Sequence, residues 1–200
     1  IEMLEWHLFD YDEDAPLIAL LKDRGAQYFL HSNVPKTTDI HERLEHYIHK
    51  LKMFHHREAS EVVTFHCRLS SMYLSEIASL RAMRRIFENY RQATGRHHLS
   101  FYLSTSNSAN PLSDDPYTQM VANCSTAMSA VIGGADRISL DIFAEENQAL
   151  QYRMAVNLIQ ILKMESHLDI VRDPLCGSYW IEKATDALAS KYWEQFQTLL

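Results

Sequence analysis

The chain has 200 residues, 46% of them hydrophobic, which is enough to bury one sizeable core, so a single domain over residues 1–200 is expected. A formal net charge of −7 gives it no general attraction to phosphate backbones or anionic lipid and argues against nucleic-acid or membrane-surface binding. No apolar run approaches the roughly 18–20 residues of a membrane span, and Ile1-Glu2-Met3-Leu4-Glu5 lacks the basic-then-apolar pattern of a secretory leader.

Short β-prone runs then alternate with stretches of helical periodicity. An opening helix is expected over Glu13–Asp23, closed by Gly25, and Gln27–His31 reads as the first strand. Leu44, Tyr47, Ile48, Leu51 and Phe54 line one face of the helix that follows. The second strand is Val62–Cys67, leading to a helix with Tyr73, Ile77, Leu80 and Phe87 on its apolar face. Gly95 precedes a third strand, Leu99–Ser104, and Asp115-Pro116 marks a helix start as N-cap and first helical position. Met120, Cys124, Met128 and Val131 stripe that helix, which Gly133-Gly134 end before a fourth strand, Arg137–Leu140. Leu150, Met154, Leu158 and Ile161 stripe the next helix, and Ile181, Ala184, Leu188 and Tyr192 the last.

Strands alternating with amphipathic helices imply parallel β-α-β units with right-handed crossovers. Four such units are half of an eight-stranded barrel, or a small doubly wound domain, and periodicity alone leaves both open. Half a barrel would leave two strand edges and an unfinished apolar interior, so self-association of such a fragment is expected.

Candidate chemistry is sparse. Cys67, Cys124 and Cys176 are odd in number and far apart, which points to free thiols in a reducing, cytosolic setting. The polar segment Ser104–Asp115 reads as a loop at the C-terminal end of a parallel strand, where barrels place functional groups. His41, His46, His49, His55 and His56 share one helix without a zinc-protease order and read as a solvated face, while His97 and His98 carry no motif. His31 and His66, placed at or near strand ends, are candidate general acids or bases. Glu76 is expected to form helix-surface ion pairs with Arg81 and Arg84.

Several segments, taken in order, resemble the methylmalonyl-CoA mutase family. Ser75–Arg85 (SEIASLRAMRR) is similar to the family's E-I-A-K-L-R-A-x-R helix, and Thr105-Ser106, Asp115-Pro116-Tyr117 and Ala127–Asp136 to its T-S…D-P-Y…A-x-x-A-x-x-G-G run. Asp173–Glu182 (DPLCGSYWIE) is similar to D-P-x-x-G-S-Y-Y-x-E, the longest of the matches. The resemblance implies a (βα)4 C-terminal half of a TIM-type (β/α)8 barrel with parallel strands, trimmed from a longer protein as the non-methionine first residue suggests. Members interconvert methylmalonyl-CoA and succinyl-CoA with adenosylcobalamin, held by a separate domain through D-x-H-x-x-G. That motif does not occur here, so the resemblance implies that this chain binds no cofactor itself and meets adenosylcobalamin only in the complex.

The family's substrate-binding positions are also altered. A strand histidine falls on Leu30, or on His31 with a one-residue slip. The R-x-S pattern falls on Val62, Val63 and Thr64, and R-T-H-x-Q-T-S on Ser100, Phe101, Tyr102, Leu103, Ser104, Thr105 and Ser106. Leu30, Val62, Ser100, Tyr102 and Ser104 are thus degenerate positions, with Thr105 and Ser106 the substrate-binding remnant. Losing arginine and histidine removes charge-assisted donors, the strong contacts to an acyl-CoA carboxylate or phosphate. The pattern resembles the non-catalytic small subunit of heterodimeric mutases, a partner of the catalytic large subunit. The rival expectation is an active acyl-CoA mutase of altered specificity, using His31, Tyr102 and Ser104.

Overall fold

The computed structural model describes residues 6–9, 28–31, 39–55, 62–107, 115–140, 148–168, 170–171 and 173–200. The elements in chain order are β1 (Trp6–Phe9), β2 (Tyr28–His31), α1 (Ile40–His55), β3 (Val62–Leu69), α2 (Tyr73–Thr94), β4 (Ser100–Asn107), α3 (Pro116–Ile132), β5 (Arg137–Ser139), α4 (Gln148–Met164) and α5 (Tyr179–Leu199). The expected helix Glu13–Asp23 and Gly25 lie outside the described residues.

Every described strand pair is parallel, as the alternation requires. β1 pairs with β2, and β3-β4-β5 form a sheet in sequence order, with β2 lying close to β3. Strand β1 precedes Gln27–His31, the first strand that the sequence pattern marks. Four residues are too few for an alternation to register, so only its pairing with β2 identifies it.

Strand parity divides the three-stranded sheet into two faces. Val63, Phe65, Cys67 and Leu69 of β3, Phe101 and Leu103 of β4, and Ile138 of β5 enter or pack against the main core. That core is completed by Leu44, Tyr47, Ile48 and Leu51 of α1 and by Leu80, Met83, Ile86, Phe87 and Tyr90 of α2. Aromatic rings knit the layer: Tyr47 meets Phe65 edge-on at 5.0 Å, and Phe87 stacks on Phe101 at 4.8 Å. Helix α5 packs on α1 and α2 and adds Ala189, Tyr192 and Phe196 to the same core, an outer layer of helix on helix.

The caps fall where the sequence placed them. Asp115 accepts hydrogen bonds from the Thr118 N–H at 2.8 Å and its hydroxyl at 2.7 Å, with Pro116 entering α3. Gly133 and Gly134 close α3, and each is required for a different reason. A Cβ on Gly133, whose φ is an ordinary −71°, would stand 2.6 Å from Leu80 Cδ1, so glycine there lets α3 approach α2. Gly134 has φ +81°, the left-handed region that other residues rarely adopt.

Two expectations are overturned. Strand β4 continues to Asn107, so Ser104–Asn107 are strand and not loop; their composition reads as polar, but β3 extends to Leu69 and pairs with each of the four residues. Helix α4 does not bury its expected stripe: Leu150 and Ile161 are each 44% exposed, and only Leu162 is buried. It packs mainly on α3, and β5, three residues long, offers it little surface.

Candidate functional site

The face of the β3-β4-β5 sheet turned away from the helices is polar, and register builds it row by row. Val62 pairs with Ser100, Thr64 with Tyr102, His66 with Ser104, and Arg68 with Ser106; β5 adds Arg137 beside Ser104 and Ser139 beside Ser106. The last two rows lie toward the C-terminal ends of the strands, the end at which parallel barrels place their functional groups.

His66 sits at the middle of this face, within β3 and not at its end as its position in the sequence suggested. Its Nδ1 is 2.9 Å from Ser104 Oγ and its Nε2 3.1 Å from Ser106 Oγ. Burial, helped by the positive charges of Arg68, Arg137 and Lys50, pushes its pKa down to about 4. A neutral imidazole carries one N–H, so one of the two serines accepts from the ring while the other donates to it. With both ring nitrogens engaged, His66 is poorly placed to accept a proton from a ligand.

The degenerate positions share this face: Val62, Ser100, Tyr102 and Ser104 all belong to its rows. Ser106 does too, buried at 4% exposure. Thr105 points the opposite way by strand parity, beside Cys67 and Ile138, and donates to the Arg137 carbonyl at 3.3 Å. The structure therefore separates the Thr105-Ser106 pair. Leu30 and His31 lie in β2, but their side chains are outside the described residues. Arg68 and Arg137 were not singled out from the sequence. Only the register of three parallel strands brings them to one face.

Other charged groups serve as latches between elements. Glu76 is not on the helix surface: it is fully buried, takes Arg43 Nη2 at 2.5 Å, and accepts from the Ser70 N–H at 2.8 Å and hydroxyl at 2.7 Å. Arg43 also donates to Ser79 at 2.9 Å and to the Arg68 carbonyl, so the pair ties α1 and α2 to the end of β3. Arg84 instead bonds the Gly134 carbonyl and Asp136, and Asp136 also accepts from the Leu103 N–H at 2.7 Å. Arg81 bridges Asp173 at 3.0 Å and Glu182 at 2.7 Å, fastening the start of α5 to α2. The corrected pairings follow from tertiary packing, which presents closer acceptors than the neighbouring helix turn does.

Asp173, Cys176 and Glu182 have potential ligand atoms within 4.8 Å of one another. The Arg81 guanidinium already supplies the positive charge there, so the two carboxylates belong to an ion-pair network. Of the helix histidines, His41 and His49 are exposed, His46 and His55 are half-buried, and His41 Nδ1 lies 2.6 Å from the Tyr192 hydroxyl. His56 lies outside the described residues. Cys67 is buried, with its thiol pushed up to about 12 by desolvation, whereas Cys124 is half-buried and Cys176 exposed. None of the helices formed by the described residues is long and apolar enough to cross a membrane.

A family model described as methylmalonyl-CoA mutase matches residues 52–199. The chain is 29% identical to a methylmalonyl-CoA mutase small subunit of Porphyromonas gingivalis over 70% of this chain and 24% of that protein. A small subunit from Streptomyces virginiae is 32% identical over 62% of this chain and 21% of its own length. A methylmalonyl-CoA mutase of Rhizobium meliloti is 31% identical over 66% of this chain and 19% of its own length. The chain thus spans about a quarter or less of each of these relatives.

Proposed function

Because the chain belongs to the methylmalonyl-CoA mutase family, we propose that it is part of the barrel of a small subunit that supports a catalytic large subunit without performing the rearrangement itself. The observation that carries this reading is the composition of the polar sheet face. At the positions where the resemblance calls for arginine and histidine donors, the rows hold Val62 against Ser100, and Tyr102 against Thr64; Thr64 itself stands where the resemblance has a serine. Neutral side chains supply weaker contacts to an acyl-CoA carboxylate or phosphate than charge-assisted pairs do. His66 cannot replace the missing histidine, since Ser104 and Ser106 occupy its ring and burial keeps it uncharged near neutrality.

The half-barrel architecture is part of the same proposal. A doubly wound sheet reverses its strand order at a switch point. Here β3-β4-β5 run in sequence order, and α2 lies beside both α1 and α3, the arrangement of consecutive β-α units curving into a barrel. The caps, Gly133 and the Arg43–Glu76 latch maintain that scaffold, which is what a supporting subunit needs.

Adenosylcobalamin, the family's cofactor by resemblance, does not fit the residues described. The two described clefts, one around Arg81, Gly134 and Leu162 and one between α3 and α4, contain no histidine to offer a cobalt ion, and His66 is engaged. We assign the cofactor to the partner subunit. Calorimetric titration of the full-length protein with methylmalonyl-CoA should show no micromolar affinity. Micromolar affinity would overturn the proposal, whereas co-purification with a larger cobalamin-binding subunit would support it.

A further inference from the structure

The described arginines divide into two groups. Arg43, Arg81, Arg84, Arg85 and Arg91 each meet a carboxylate, and Arg96 donates to the Tyr90 hydroxyl and the His55 carbonyl. Arg68 and Arg137 have neither an ion pair nor a side-chain hydrogen bond among the described residues, and Arg68 Nε is buried with no acceptor. The only other described arginine in that condition is Arg153, exposed on α4. In a chain with 26 acidic residues against 19 basic ones, two unanswered guanidinium groups on one half-buried sheet face need an explanation.

Placement makes them a pair. Both occupy the face turned from the helices, Arg68 beside Ser106 and Arg137 beside Ser104, in adjacent rows at the C-terminal end of the sheet. Ser106 and Ser139 lie in the Arg68 row, and whichever of Ser104 and Ser106 accepts from the ring of His66 keeps its own hydroxyl proton for another acceptor. The groups offered are therefore two guanidinium forks and a hydroxyl, all donors. A buried donor without an acceptor costs more than a satisfied one returns, and a cation without a counter-charge costs more again. An oxyanion would satisfy both, since its oxygens match the planar guanidinium fork.

We infer that Arg68 and Arg137, with whichever of Ser104 and Ser106 keeps its hydroxyl proton, form a binding site for a small oxyanion, a carboxylate or phosphate group, at the C-terminal end of β3, β4 and β5. The site lies beyond the degenerate positions Val62, Ser100 and Tyr102, and its two arginines are not among the positions that the resemblance assigns to the substrate, so it can fail without affecting the supporting role proposed for the chain. Among the described residues no free base lies beside it, and it acts by binding alone. Its electrostatic reporter is His66: an anion seated between the arginines offsets the charges that hold off its proton, and the imidazole pKa rises.

The test uses full-length protein in phosphate-free buffer, titrated separately with inorganic phosphate and with malonate. Calorimetry and the His66 imidazole resonances are followed together. Saturable binding of at least one probe is expected, with the His66 midpoint rising by about half a pH unit or more. Tighter phosphate binding would assign the site to a phosphoryl group, and tighter malonate binding to a carboxylate. Arg68→Met and Arg137→Met should each weaken binding about 10-fold or more, as loss of a charge-assisted contact does, while Lys183→Met on exposed α5 should leave it unchanged. Where a methionine variant fails to fold, Arg68→Lys and the parent's own His66 shift decide the matter. Absence of saturation below 10 mM (roughly the limit for a single charge-assisted site) with an unmoved His66 midpoint would overturn the inference. So would parent-like affinity in both methionine variants. Neither probe carries coenzyme A, so failure here is separate from any result with methylmalonyl-CoA.

Discussion

Replacing Glu76 by Gln tests whether the Arg43–Glu76 pair is the interior latch that the packing implies. The two side chains are 1% and 0% exposed, and the carboxylate receives Arg43 Nη2, the Ser70 N–H and the Ser70 hydroxyl. Glutamine keeps the volume but removes the negative charge, and it turns an acceptor into a donor in a site that already supplies donors. Arg43 is then left buried without a counter-charge. Breaking one side of such a pair costs about 3–5 kcal/mol, a large part of the roughly 5–15 kcal/mol that stabilises a domain. Removing both charges is a different perturbation: Arg43→Met with Glu76→Leu should recover most of the loss, because matched apolar side chains avoid desolvating two ions. Urea unfolding followed by circular dichroism, run as a double-mutant cycle, measures both. A Glu76→Gln loss below about 1 kcal/mol would be the value of an exposed pair and would refute the reasoning.

Two further outcomes follow from the same geometry. Gly133→Ala should destabilise by about 1–3 kcal/mol through overpacking against Leu80, and adding Leu80→Ala should lessen the additional cost of the alanine, since 2.6 Å to Leu80 Cδ1 is the closest contact; equal cost in both backgrounds, by urea midpoint, would count against steric closeness. His66 has a folded pKa of about 4, below its ordinary value of 6.5, so the unfolded chain binds more protons between those values. Stability is full above 6.5 and falls as pH drops toward 4, with about 2 kcal/mol lost between pH 7 and 5. His66→Gln should flatten that component of the urea midpoint, and an unchanged slope would remove His66 as its source.

Much of the fold was legible because local rules decide it. Asp115 followed by Pro116 caps a helix whatever the surroundings, and Gly133-Gly134 end one. The apolar stripes of α1 and α2 marked their buried faces because both helices lie on a sheet. The stripe of α4 was equally clear yet is not buried, since periodicity reports which face could be covered and not whether anything covers it. Strand ends failed for a related reason: Ser104–Asn107 read as loop by composition, but pairing with β3 satisfies their backbone groups and extends the strand.

The candidate site divides along the same line. The sequence by itself determined family membership, the degenerate positions Val62, Ser100, Tyr102 and Ser104, and the elements that carry them, because each of these depends on residue order and short-range spacing. Only the tertiary structure decided that Thr105 and Ser106 face opposite ways, that Glu76 answers Arg43, and that Arg68 and Arg137 share a face with His66. Those facts depend on which helices pack together and on which strands lie side by side and in what register. Residues as far apart as 68 and 137 become neighbours only when three parallel strands align.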